Sequence, residues 1–312
     1  MTPGAGGLLA ASGPGGASLT WNLGSDLRQV LAFHFMVNAL RAGTIIAVAA
    51  GVIGWFMILR RQSFAGHTLA VVAFPGASGA IWLGVPTAFG YFGFCIAGAL
   101  TIAAVGGVSR GGSGFSEESA VTGTVQAFAL ACGFLFVTLY GGFLGGLTGL
   151  LFGTFLGVTD TQVLILLLLT GAALAVLAVT GRALFFATID PAVAAARGVP
   201  VGAVSVLFLV LLGVAAAEVS QITGALLVFA LLVMPAAAAQ QLTARPSLSL
   251  TLTVVIALAV TWLGLGVAYF SVYPVGFFIT TFGFGAYALA TGGAIVFGRL
   301  SRGRRTQEVA PT

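Results

Sequence analysis

Apolar runs of about 17–24 residues, nearly free of charge and repeated along most of the chain, constrain this sequence more than any other feature. Only 6% of the residues are charged and 59% are hydrophobic, whereas a soluble domain carries about 25% charged residues. Too few polar side chains remain to coat a water-soluble fold of 312 residues, so most of the surface must face lipid. The bilayer core holds no water, and every backbone N–H and C=O must bond within the protein, which leaves only helices or closed barrels. The runs are continuous rather than alternating with period two, so they are helices. The fold class is therefore all-α, a polytopic transmembrane helix bundle. The 46 glycines agree, because glycine lets membrane helices approach closely.

Nine spans are expected, at about 42–59, 67–84, 87–108, 120–140, 161–181, 201–217, 223–242, 247–270 and 275–297. Residues 26–41 read as an amphipathic lead-in helix whose His34 is solvated. Residues 1–25 read as a disordered leader without a cleavable signal, 26–300 as the membrane domain and 301–312 as a cytoplasmic tail. All twelve basic residues are arginine. Their placement between apolar runs makes the net charge of +5 a topology signal and not one for nucleic acid. With the N-terminus outside, ten of the twelve fall on the cytoplasmic side and only Arg28 and Arg41 fall outside, as the positive-inside rule requires. Cys95 and Cys132 both lie inside apolar runs and read as small packed residues.

Two segments do not fit a plain span. Gly141, Gly145, Gly149, Gly153 and Gly157 recur every fourth residue, forming on a helix one smooth stripe open to another backbone. A full span here would reverse every later loop, so residues 141–157 read as a short or re-entrant helix on the outer side; a tenth span is the alternative. The largest cytoplasmic loop is about 182–200. In it Asp190 can cap a helix, Pro191 suits a first turn and Gly198 can end it. A two-turn helix outside the bilayer is expected there, the kind of element by which a transporter takes force from a separate motor.

Six further stretches stand out: Arg60-Arg61-Gln62-Ser63-Phe64-Ala65-Gly66 with Phe74-Pro75-Gly76, Glu118 to Gly123, Leu151 to Val158, Ile189-Asp190-Pro191 to Arg197-Gly198, Thr223 to Val228 through Met234-Pro235-Ala236, and Pro274-Val275-Gly276. Together they resemble the permease family of bacterial zinc/manganese/iron ABC importers. They occur in the family's order and cover about residues 41–297. The resemblance implies a homo- or heterodimeric permease in a bacterial plasma membrane. Such a permease binds cytoplasmic ABC ATPase subunits and is fed by an extracytoplasmic substrate-binding protein. It assigns ATPase coupling to Ile189, Asp190, Pro191, Arg197 and Gly198. The chain has no Gly-x-x-x-x-Gly-Lys phosphate loop, so it is expected to be a transport subunit and not an enzyme, with no cofactor of its own and ATP hydrolysed in a partner.

The sequence departs from the family where a cation would be handled. His67 stands in place of the family's Asp and Val71 in place of its His four residues later; Thr154 and Val272 replace two further Asp residues. Asp and His four apart share a helix face and suit a divalent ion; His67 with Val71 keeps one ligand of that pair. His67 is the candidate metal ligand or gate, or else a polar residue at the interface. Gln126 in the fourth span either lines a pathway or bonds a neighbouring helix. Glu218 at the outer end of the sixth span lines the pathway mouth or is solvated there. Pro235 frees a backbone carbonyl and can kink its helix, with Gln240 and Gln241 following.

The expected function is import of a divalent metal such as zinc or manganese by alternating access. The missing carboxylates leave open a chelated metal or small organic ligand as cargo. An ATPase-independent secondary transporter would have no use for the 182–200 loop. No nucleophile–base constellation supports a membrane enzyme.

Overall fold

The computed structural model describes residues 23–105, 115–141 and 149–308, apart from 152, 154, 226 and 272. Among these residues there is no strand. The elements in chain order are α1 Leu23–Ala32, α2 His34–Leu59, α3 Ser63–Leu83, α4 Thr87–Val105, α5 Phe115–Tyr140, a 3₁₀ turn Phe155–Gly157, α6 Asp160–Ile189, α7 Pro191–Ala196, α8 Val201–Thr223, α9 Val228–Leu242, α10 Pro246–Tyr269 and α11 Val275–Glu308. Eight of these helices are long and apolar enough to cross a membrane, and α9 is a shorter apolar helix. The nine apolar helices answer one for one to the nine expected spans.

Several boundaries move, each for a local reason. The lead-in is split: α1 begins at Leu23, the chain breaks at Phe33, and residues 34–41 already belong to the first span. Most of the proposed leader, residues 1–22, lies outside the described residues. The proposed tail continues α11 as far as Glu308. Helix α6 runs to Ile189, so the expected 182–200 loop shrinks to residues 190–200. Nothing between Arg182 and Ile189 breaks a helix; Pro191 does, because a proline disfavours the helical conformation of the residue before it. The seventh span starts late, at Val228, because Gly224, Ala225 and Leu227 leave the helix.

Helix α2 is the central post, packed by α6, α8, α9 and α10. A Cβ on Gly54 would meet the Leu232 carbonyl of α9, and one on Gly51 would meet the Val254 backbone of α10 at 3.1 Å. Indole N–H groups add polar ties: Trp55 donates to Ser249 at 3.1 Å and Trp262 to Thr44 at 2.9 Å. Helices α3, α4 and α5 pack as a second group, joined to the post through α8.

The glycine-rich segment lies partly outside the described residues, Gly145 among them. Its described end does pack backbone to backbone, as a smooth stripe permits. A Cβ on Gly153 would meet the Ile222 carbonyl, and one on Gly224 would meet the Leu151 carbonyl. Both glycines hold positive φ, 78° and 76°, a conformation that side chains oppose. The Ala225 N–H donates to the Leu150 carbonyl at 3.2 Å. Leu150, Leu151 and Gly153 therefore pack into the break between α8 and α9.

Candidate functional site

The α6–α7 corner forms as its residues dictate. Asp190 ends α6 and caps α7, its carboxylate accepting from the Val193 N–H at 2.9 Å. Pro191 occupies the first turn, where its missing N–H costs nothing. Arg197 closes the helix and Gly198 leaves it at φ 81°. Ala194 is fully buried against the bundle, while Ile189 and Val193 are exposed apolar residues. Beside them a groove of about 650 Å³ runs along Arg182, Phe186, Ile189, Arg197 and Val199. The short helix is thus anchored at Ala194 and carries exposed apolar side chains on both sides of its cap.

Arg60 ties this corner to the central post, a role the sequence reading missed by treating Arg60 as a topology charge. From the C-cap of α2 its guanidinium donates to Thr188 of α6 at 3.1 Å and to Ser205 of α8 at 2.8 Å. It also lies 5.3 Å from the Phe208 ring centroid. Planar donors in a fixed fork suit arginine to such a three-helix junction. Arg60 thus joins α2, α6 and α8 beside the corner that leads into α7.

A second feature lies between α3 and α5. Val71 and Phe74 of α3 face Leu130 and Phe134 of α5 across a cavity of about 280 Å³, closed by Leu151 and Ala225. Its described lining is wholly apolar. His67 and Gln126 each stand one helical turn from it. The Thr68 hydroxyl donates to Gln126 Oε1 at 2.9 Å, so Gln126 bonds a neighbouring helix, one of its two expected uses. The His67 ring lies edge-on to Phe229 at 5.0 Å, and its Nδ1 is buried without a partner. A buried ring nitrogen left unbonded is costly in a packed protein. Thr154 and Val272 lie outside the described residues.

Glu218 joins neither feature. It is 1% exposed, so it is not solvated as one expectation had it. The helix continues five residues past it and packs it inside the bundle. One carboxyl oxygen accepts from Thr170 of α6 at 2.8 Å; the other is buried without a partner. Burial of an unpaired charge is expensive, so its removal should not harm the fold. Glu218→Gln is expected to match or exceed the native thermal midpoint in detergent. Glu218→Ala, which opens a cavity and deprives Thr170 of its acceptor, is expected to lose about 1–3 kcal/mol.

Gln240 donates to the Trp55 carbonyl at 3.4 Å, and Pro235 lies inside α9, as expected. Among the described residues no cluster of three or more His, Cys, Asp or Glu side chains is found.

Comparison with known proteins matches residues 32–292 to the family model described as the ABC 3 transport family. The chain is 32% identical over 180 residues to the "Manganese transport system membrane protein MntC" of Halalkalibacterium halodurans, covering 58% of this chain and 60% of that protein. It is 28% identical over 138 residues to the "Chelated iron transport system membrane protein YfeC" of Yersinia pestis, covering 44% and 45%. The aligned region thus spans about three-fifths or less of these relatives. Among solved structures, "PsaBC from Streptococcus pneumoniae in complex with Fab" superimposes with a TM-score of 0.75 at 25% identity, covering 86% of this chain and 94% of that one. The structure described as "An inward-facing conformation of a putative metal-chelate type ABC transporter" shares the fold, with a TM-score of 0.65 at 18% identity and coverage of 92% and 95%. A membrane bundle with a capped corner helix, matched by one family model over most of its length, belongs to the ABC 3 transport family.

Proposed function

We propose that this chain is the membrane-spanning permease of an ATP-driven importer for a divalent metal, manganese or zinc. The observation that carries the reading is the Asp190-capped helix α7, which is buried at Ala194 and joined through Thr188 and Arg60 to α2 and α8. An ATPase docked on Ile189 and Val193 would move that corner. The rigid bundle behind it would rock, closing one side of the pathway as it opens the other. The membrane orientation follows from the arginines: N-terminus outside, corner and C-terminus in the cytoplasm. A second permease subunit completes the pathway, and an extracytoplasmic binding protein supplies the cargo. Both partners come from the family reading, as manganese comes from the names of the relatives.

The apolar chamber favours a second reading of the cargo, as a chelated metal or small organic ligand. Its described lining offers no oxygen or nitrogen ligand, and His67 stands alone a turn away. One experiment tests both. Manganese, zinc and iron are measured by elemental analysis in cells expressing the chain with and without its ATPase. ATPase-dependent gain of manganese or zinc is expected, and the double variant His67→Asp, Val71→His, which restores the family's pair, is expected to raise it further. Unchanged levels of every metal would remove bare metal as cargo.

A further inference from the structure

Helix α6 is longer than a bilayer core is thick. Its 30 residues, Asp160–Ile189, run about 45 Å, against about 30 Å of hydrocarbon. Asp160 opens the helix and is exposed, which suits it to one membrane surface. Arg182 follows about 33 Å further along the axis, at the level of the headgroups on the other surface. Between them Leu164, Leu168, Val176 and Val179 are exposed, so α6 turns an open apolar face outward over much of its length.

The groove beside the α6–α7 corner continues that face. Val179, Arg182, Phe186 and Ile189 recur at helical spacing along one side of α6 and line it. Arg197, at the end of α7, and Val199 complete the lining. Both arginines are exposed, and among the described residues neither forms an ion pair. No carboxylate lines the groove; the neighbouring Asp190 accepts from the Val193 N–H instead. Two guanidiniums that never lose their charge thus share one cleft with no acidic side chain in its lining.

The shape of the cleft selects the anion. Val179 is 85% exposed and lies one turn, about 4.5 Å, deeper than Arg182, on the hydrocarbon side of the charge. A free phosphate or an acidic segment of a soluble protein would reach the arginines and leave that end bare. An anionic phospholipid fills both ends. Its phosphate oxygens take paired N–H donors from a guanidinium, and an acyl chain covers the apolar wall below. The long arginine side chains lay their stems on that wall and carry their charge outward. The groove of about 650 Å³ has the size of a small-molecule site, and basic clefts between helices at headgroup level are where anionic lipids are held.

We infer that Arg182 and Arg197 hold the phosphate of an anionic phospholipid whose acyl chain leaves the groove past Val179 and Ala183. The lipid ties α6 to the far end of α7 across the corner. The inference goes beyond the importer reading and needs neither a motor nor a metal.

The test is native mass spectrometry of the purified, delipidated full chain in detergent, titrated with phosphatidylglycerol or with phosphatidylcholine of the same acyl chains. The native chain is expected to bind one phosphatidylglycerol at least tenfold more tightly than phosphatidylcholine. Arg182→Gln and Arg197→Gln are each expected to weaken phosphatidylglycerol about fivefold, the contribution of one arginine near a headgroup, and to leave phosphatidylcholine unchanged. Arg245→Gln, which removes an exposed arginine outside the groove, is expected to change neither. Inorganic phosphate at equal concentration is expected not to displace the lipid. Thermal midpoints confirm that the variants fold, and the comparison of the two lipids on the native chain needs no variant. Equal binding of the two lipids, or displacement by inorganic phosphate, would overturn the site. So would Arg182→Gln and Arg197→Gln variants that lose a co-purifying ATPase yet hold phosphatidylglycerol as the native chain does, since the groove would then belong to the motor. A chain that holds this lipid but accumulates no metal in cells would instead sink the importer reading and leave the site standing.

Discussion

Replacing Asp190 by Lys, or deleting residues 190–198, is expected to strip the ATPase subunit from the purified complex while the permease stays in the membrane. Asp190 holds the first turn of α7 through the Val193 N–H, and an N-cap of this kind contributes about 1 kcal/mol. Lysine removes the acceptor and places a cation at a helix N-terminus, where the dipole opposes it. A six-residue helix cannot absorb that loss, since isolated helices so short are unstable. The bundle can, because α6 and α8 are fixed independently through Thr188, Arg60 and Ser205. Asp190→Asn separates capping from charge: asparagine caps as well as aspartate, so ATPase binding should persist if the fold of α7 is what matters. Co-purification of the two subunits from detergent checks all three variants. Undiminished association of both the Lys variant and the deletion would mean that the motor docks elsewhere.

The parts of this architecture legible in sequence are those written by adjacent residues. Each span is a continuous apolar run, so nine were countable, and nine apolar helices are found among the described residues. Helix α7 was legible because Asp190, Pro191 and Gly198 stand a few residues apart and act on one short backbone segment. The repeat that includes Gly153 announced a close backbone approach, but its counterpart, Gly224, lies 71 residues away, and nothing local names it. Interactions between distant elements stayed hidden for the same reason. Glu218 looked like an interfacial acid until Thr170, 48 residues earlier, was found across from it. His34 looked solvated and is exposed, yet it meets Asp160, 126 residues on. Arg60 carried a topology signal that concealed a three-helix junction. In a membrane chain, polarity tells which end of a helix is wet; it does not tell which helix lies alongside.

Gly90→Val, or Gly76→Val, is expected to abolish accumulation of folded protein, whereas Gly93→Ala, on the same helix, is expected to be neutral or mildly stabilising. Gly76 of α3 and Gly90 of α4 face each other so closely that a Cβ on either would meet the other's carbonyl oxygen. Neither neighbour can swing aside, because the obstructing atoms are backbone. A branched side chain there must push two helices apart, a change larger than the 1–3 kcal/mol typical of overpacking by side chains alone. Between lipid-facing helices little hydrophobic force restores the contact; close packing itself holds them together. Gly93 has nothing within 4 Å of its Cβ position, so alanine gains up to about 1 kcal/mol of helix propensity there at no steric cost. Size-exclusion profiles of detergent extracts report the difference directly. The contrast also bears on function, because the α3–α4 contact sets the position of α3, and α3 carries His67, Val71 and Phe74 to the chamber wall. A Gly90→Val chain that accumulates normally and elutes as one sharp peak would show that α3 can shift sideways without loss of the fold, and the chamber would then have no fixed wall on that side.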